Sequence, residues 1–178
     1  QHGFTKARFY DVVVARLEQQ FEGFDIDNYT IALKNVIWSR AVQNGANNDV
    51  IKIAFENLGG FENQPEDVLI RAIYKQASKL VDEPPTEDSV VIVRSSAEKY
   101  GIDPEIVEGK YLYYHSKNTS DVQVSVYRRL AVREVAEALE MYVAAGGVLT
   151  PDDELPDELN PDSPDDTEDD IPDNGDTD

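Results

Sequence analysis

Seven cations in the second half of the chain have the side chains best suited to chemistry with a partner: Arg94, Lys99, Lys110, Lys117, Arg128, Arg129 and Arg133. Guanidinium and ammonium groups neutralise phosphates, or pair with carboxylates across a subunit contact. Arg128, Arg129 and Arg133 form the densest group and share one helical stretch. Against them stand 36 Asp and Glu in 178 residues, and the formal charge is -20. Catalytic signals are weak. There is no Cys, the histidines are His2 and His115, and Gly59 and Gly60 lack the Lys and Ser/Thr of a phosphate loop. With so many carboxylates, two lying close together carry no information about acid–base work. The sequence therefore predicts no enzyme, no catalytic residue, no metal site and no cofactor.

The charge is uneven. Residues 150–178 hold 14 acids and no Lys or Arg, which leaves about -6 on residues 1–149. That last stretch repeats Pro, lacks aromatics and repels itself, so it is expected to be a disordered acidic tail. Its apolar residues Leu155, Leu159 and Ile171 are candidate anchors for docking on a basic partner. No apolar run approaches a membrane span. The opening residues lack a leader pattern, and a first residue of Gln points to a processed or excised N-terminus.

The body reads as mainly α. Phe9, Val13, Leu17 and Phe21 recur every four residues behind Thr5 as cap. A second helix, capped by Asp27 or Asn28, carries Leu33, Val36, Ile37 and Ala41. Asn48 caps a third, which stops at Gly59 and Gly60, so residues 28–58 form a helical hairpin. A fourth spans about 65–81. "DEPPTED" then breaks the chain and divides a helical block over residues 1–82 from a unit over 83–149. A long last helix over about 120–145 ends at Gly146 and Gly147. Residues 89–94, 111–116 and 122–127 are rich in β-branched and aromatic side chains, so strand and helix are both open there. The Asp103-Pro104 and Ser120-Asp121 starts favour helix.

Residues 93–115 place Ala97 at a helix crossing, Gly101 at a left-handed turn, Ile102 as an apolar plug, Asp103 and Pro104 at a helix start, and Val107 where that helix packs back. At these positions the segment resembles the helix-turn-helix of bacterial and phage DNA-binding proteins. The second helix presents Glu105 and Glu108, which face phosphates at a cost. Residues 39–60, a helix ending in Asn/Gly turns and restarting before Leu-Gly, are similar to the small subunits of tailed-phage terminases. That resemblance implies an oligomeric adaptor that binds viral double-stranded DNA and hands it to a packaging motor, in the host cytoplasm or the virion. Two alternatives stand beside it. One is a head-completion or connector protein of a virion. The other is an acidic inhibitor whose tail covers a basic protein surface. The seven cations are the expected contacts to DNA or to a neighbouring subunit.

Overall fold

The computed structural model describes residues 6–160. Thr5, expected as the first cap, lies outside the described residues. The chain enters through a π-helical turn, Lys6–Tyr10, that runs into α1, Asp11–Gln20. Val13, Val14 and Leu17 are its buried face. Gly23 then turns the chain at a φ of +83°, a conformation that disfavours a side chain.

α2 spans Ile31–Asn44, and its cap lies beyond the expected Asp27 and Asn28. Thr30 Oγ1 accepts the Ala32 amide at 3.2 Å. Glu66, distant in sequence, reaches across to accept the Thr30 amide at 3.1 Å and the Leu33 amide at 3.3 Å. A carboxylate from another helix thus satisfies the orphan donors of α2, and its charge suits the positive end of the helix dipole. Asp49 stands at the cap position of α3, Val50–Asn57, and Asn48, the expected cap, lies one residue earlier, with Oδ1 accepting the Val50 amide at 3.1 Å. Gly60 closes that helix by donating to the Phe55 carbonyl at 2.8 Å.

α4, Glu66–Ala77, is the central element. Leu69, Ile70 and Ile73 are fully buried, as are Val68, Ala72, Tyr74 and Ala77, so the helix is enclosed on nearly every side. Each large aliphatic side chain here contributes about 1.5–3 kcal/mol by leaving water, more than a typical exposed ion pair. Phe21, Phe24, Phe55 and Phe61 close one end of this core with edge-on ring contacts at centroid distances of 5.3–6.2 Å.

A short antiparallel ladder follows. β1, Leu80–Val81, pairs with β2, Tyr111–Leu112, in the register Leu80 to Leu112 and Val81 to Tyr111. Between them lie α5, Arg94–Lys99, and α6, Pro104–Val107. The three ambiguous stretches resolve differently. Residues 90–93 form neither helix nor strand, 113–115 form a 3₁₀ turn, and 122–127 are helical within α7, Ser120–Arg128. The expected long helix is present but interrupted. α7 passes through a π-helical segment, Arg129–Glu134, before α8, Val135–Ala144.

Two apolar clusters result, and the long helical element enters both. Val124 of α7 joins Ile92, Ala97, Ile102 and Val107 in the smaller one. Leu130 and Ala138 belong to the larger one, formed otherwise by residues of 13–77.

The first part of the expected tail is held on the body. Asp67, completely buried, accepts the Thr150 amide at 2.8 Å and the Thr150 hydroxyl at 2.9 Å. Two 3₁₀ turns follow, Asp152–Glu154 and Asp157–Leu159. Leu155 is buried, Leu159 packs on the larger cluster, and Lys75 pairs with the Glu158 carboxylate at 3.5 Å. Leu155 and Leu159 are therefore anchors, but on this chain's own body, Leu159 against the larger cluster. Ile171 and the rest of residues 161–178 lie outside the described residues.

Replacing Asp67 by Ala strands two donors of Thr150 and removes the partner of Arg71, 3.8 Å away. The expected loss is about 2–4 kcal/mol in urea unfolding. Thr150→Val, which keeps the backbone bond, should cost about 1 kcal/mol. Equal losses for the two variants would show that the clamp does not work through Asp67.

Candidate functional site

The helix pair at 93–115 packs as the sequence predicts. Ala97 and Val107 are fully buried, Ile102 nearly so, and Gly101 has a φ of +69°. Asp103 caps α6 by accepting the Glu105 amide at 3.0 Å. The second helix, however, is a single turn of four residues. It is too short to lay successive side chains along a major groove, which a recognition helix of several turns does. Sequence spacing reports the turn and the packing contacts, and these are the same for a miniature pair. The stop comes from Gly109, at a φ of +78°, whose amide donates to the Ile92 carbonyl at 2.9 Å.

The seven cations do not converge on one face that is free of acids. Arg94 lies 2.8 Å from Glu108, 3.3 Å from Glu105 and 4.0 Å from Glu98. The Glu108 carboxylate, then Glu105, raises the affinity of Arg94 for its proton. Lys99 pairs with Asp121 at 2.7 Å, and Asp121 also accepts the Ser96 hydroxyl at 2.6 Å. Lys110 faces Asp82 and Lys117 faces Asp88, both at 3.5 Å. Arg133 pairs with Glu137 at 3.9 Å within the helix. Arg128 is exposed and has no ion-pair partner within 4.0 Å among the described residues.

Arg129 leads to a feature the sequence reading did not single out. The π-helical turn brings Glu134 beside Arg129 at 3.2 Å and beside Arg40 of α2 at 3.0 Å. Gln43 Oε1 accepts from both guanidinium groups, at 3.0 Å from Arg40 and 2.8 Å from Arg129. Arg40 is 1% exposed and lies over the Tyr74 ring, 5.5 Å from its centroid. Burial lowers the proton affinity of Arg40, while Tyr74 and Glu134 oppose that shift. Burial also holds the Tyr74 phenol neutral, with its pKa pushed up to about 12. His115 is shifted the other way, first by burial and then by Arg129 and Arg40, so it favours the neutral form. Arg40 escaped the sequence reading because an Arg within a helical run reads as a solvent-facing residue. A weak signal existed, since Arg40 follows Val36 and Ile37 at helical spacing on the apolar face of α2.

Above this network opens a cleft of about 380 Å³ between α2, α4 and α8. Asn35, Ser39, Tyr74, Glu134, Glu137 and Met141 are among its walls. Carboxylate, amide and hydroxyl groups line it together with the Arg133 guanidinium, which pairs with Glu137, so the cleft is polar and carries both signs of charge. Among the described residues, no group of three or more His, Asp or Glu is arranged to hold a metal ion, and no helix is long and apolar enough to cross a membrane.

Residues 1–98 match the family described as Type VI secretion system spike protein VgrG3-like, C-terminal. The match runs from the first helix through the central α4 to α5, just over half of the 178 residues. The chain belongs to this family. Comparison with curated proteins and with solved structures gives no match. The family match lends nothing to the terminase resemblance of residues 39–60, which lie inside the matched region. It places the chain with a spike protein of a secretion system.

Glu134→Ala should destabilise the fold by about 3–5 kcal/mol, because it strands a buried guanidinium. Arg40→Met combined with the same Glu134→Ala should recover part of that loss, which a double-mutant cycle in urea reads directly. The tyrosine gives a second expectation. Its folded pKa lies above the ordinary 10.0, so the stabilisation is complete below pH 10 and is lost as pH rises toward 12. Tyr74→Phe should flatten that alkaline fall by about one proton, measured as stability against pH. An unchanged slope would place the titration elsewhere.

Proposed function

We propose that this chain is the helical end module of a spike protein in a secretion-system or phage-type injection apparatus, carried or docked as a folded unit and not acting as a DNA-packaging adaptor. The observation that carries the reading is the family match over residues 1–98. Charge supports it. Six of the seven candidate cations already face carboxylates, and a net charge of -20 repels a polyanion. In this reading Arg94, Lys99, Lys110, Lys117, Arg129 and Arg133 hold the module together, while Arg128 alone offers an unpaired charge to a neighbour. The copy number of the module then follows that of the spike polypeptide that carries it, which makes it part of an oligomer.

The test is export. The chain is tagged within its parent polypeptide, and the tag is followed in cells with an intact or a disabled contractile apparatus. The reading predicts release of the tag that depends on the apparatus, and no saturable binding of the purified chain to duplex DNA at low salt. Retention in the cell together with tight, salt-sensitive DNA binding would overturn it and restore the packaging reading.

A further inference from the structure

Residues 150–160 run along α4 as a strap, and they do so in register. Thr150 meets Asp67 and Glu158 meets Lys75, two contacts that share a sequence offset of 83. From Asp67 to Lys75 the helix advances about 12 Å. Over the same number of residues the strap keeps pace, because its two 3₁₀ turns shorten it. The strap thus travels from the first turn of α4 toward its last and reaches Asn160 heading for the C-terminal end of the helix.

A basic stripe lies along that route. Arg71, Lys75 and Lys79 follow one another at four-residue spacing, on α4 and just past its end. Arg71 pairs with Asp67 at 3.8 Å and Lys75 with Glu158 at 3.5 Å. Lys79 is exposed and faces no carboxylate among the described residues. Its ammonium lies over the Tyr113 ring, 5.4 Å from the centroid, which leaves its N–H donors open to an acceptor. Lys79 and Glu158 line one cavity of about 350 Å³, together with Asn57, Leu80 and Tyr127.

The next acid in the chain suits that vacancy. The same offset of 83 sets Asp162 opposite Lys79. Lys75 and Lys79 are about 6 Å apart along the helix, and the stretch from Glu158 to Asp162 reaches up to about 14 Å when extended. Residues 161–178 hold nine acids and no Lys or Arg. An acid tethered this closely meets the stripe at an effective concentration on the order of millimolar, ahead of any foreign anion that is scarcer.

We propose that residues 161–166, which lie outside the described residues, carry the strap one step further, with Asp162 paired to Lys79. Strap and acidic segment together form an intramolecular cover over the basic stripe and the cavity at its end. The contact is independent of the spike reading, which does not need it. Lys79 is a surface residue, so the added contact is weak and sensitive to salt.

The chain has no Cys, so Thr167→Cys in the full chain accepts a single nitroxide spin label. Amide signals that the label broadens report the surface residue 167 visits. The strongest broadening is expected at Lys79, Leu80 and Tyr127, falling at least about threefold when 1 M salt shortens the screening length to about 3 Å. Lys79→Asp should remove it, and Lys79→Asp together with Asp162→Lys should restore it. A general attraction between the acidic segment and the body gives no such rescue. Broadening confined to the neighbours of Asn160, or equal in wild type and Lys79→Asp, overturns the proposal. So does broadening found only between a labelled chain and an unlabelled one, which makes a second copy the occupant. If Lys79→Asp lowers the thermal midpoint, the wild-type salt series decides, and broadening at Lys79 that persists at high salt overturns the proposal.

Discussion

Two neighbouring carboxylates in the first turn of α4 hold much of this molecule in place. Glu66 reaches sideways and caps α2, while Asp67 reaches the other way and fixes Thr150. Burying two acids side by side is costly unless each is fully bonded. Here each accepts at least two hydrogen bonds, and both sit at the positive end of α4. The most enclosed helix of the fold thereby fixes the start of the helix beside it and the exit of the last one.

The second constraint is the π-helical turn at Arg129–Glu134. An extra residue per turn rotates Glu134 inward, where it meets Arg40 and Arg129. Such insertions strain a helix and persist when something is gained. The gain here is neutralisation of a guanidinium buried over Tyr74. The same turn lets one helical element pass from the small cluster at Val124 to the large one at Leu130 and Ala138. The cleft above it inherits a carboxylate-lined wall, so the electrostatics of that surface are a by-product of how the core was closed.

Much of the helical plan was legible because it rests on local rules. Val13 and Leu17, the Asn48 bond ahead of α3, the Gly60 stop, and the Ala97–Gly101–Val107 spacing all depend on residues within one or two turns of each other. The misses depend on contacts across the chain. The α2 cap is shared with Glu66, 36 positions away, and the Thr150 clamp spans 83. An acidic Pro-rich stretch reads as solvent-loving, and composition does not show that Leu155 and Leu159 have a surface waiting for them. The same holds for the seven cations. Their types were legible, but the carboxylates that six of them face were set by folding.

The family match ends at residue 98, yet the core beneath it is completed by Leu130, Ala138 and the clamp at Thr150. If residues 1–160 form one mutually dependent body, a chain cut after residue 98 lacks the partner of Arg40 and one whole wall of the larger cluster. The most direct measurement compares urea unfolding of residues 1–98 with that of residues 1–160, followed by far-ultraviolet circular dichroism and by Trp38 fluorescence. A single coincident transition for 1–160, with no cooperative transition for 1–98, is the predicted result. Cooperative unfolding of 1–98 at the same midpoint would contradict the account, because the long helix and the clamp would then be ornaments on a domain already complete.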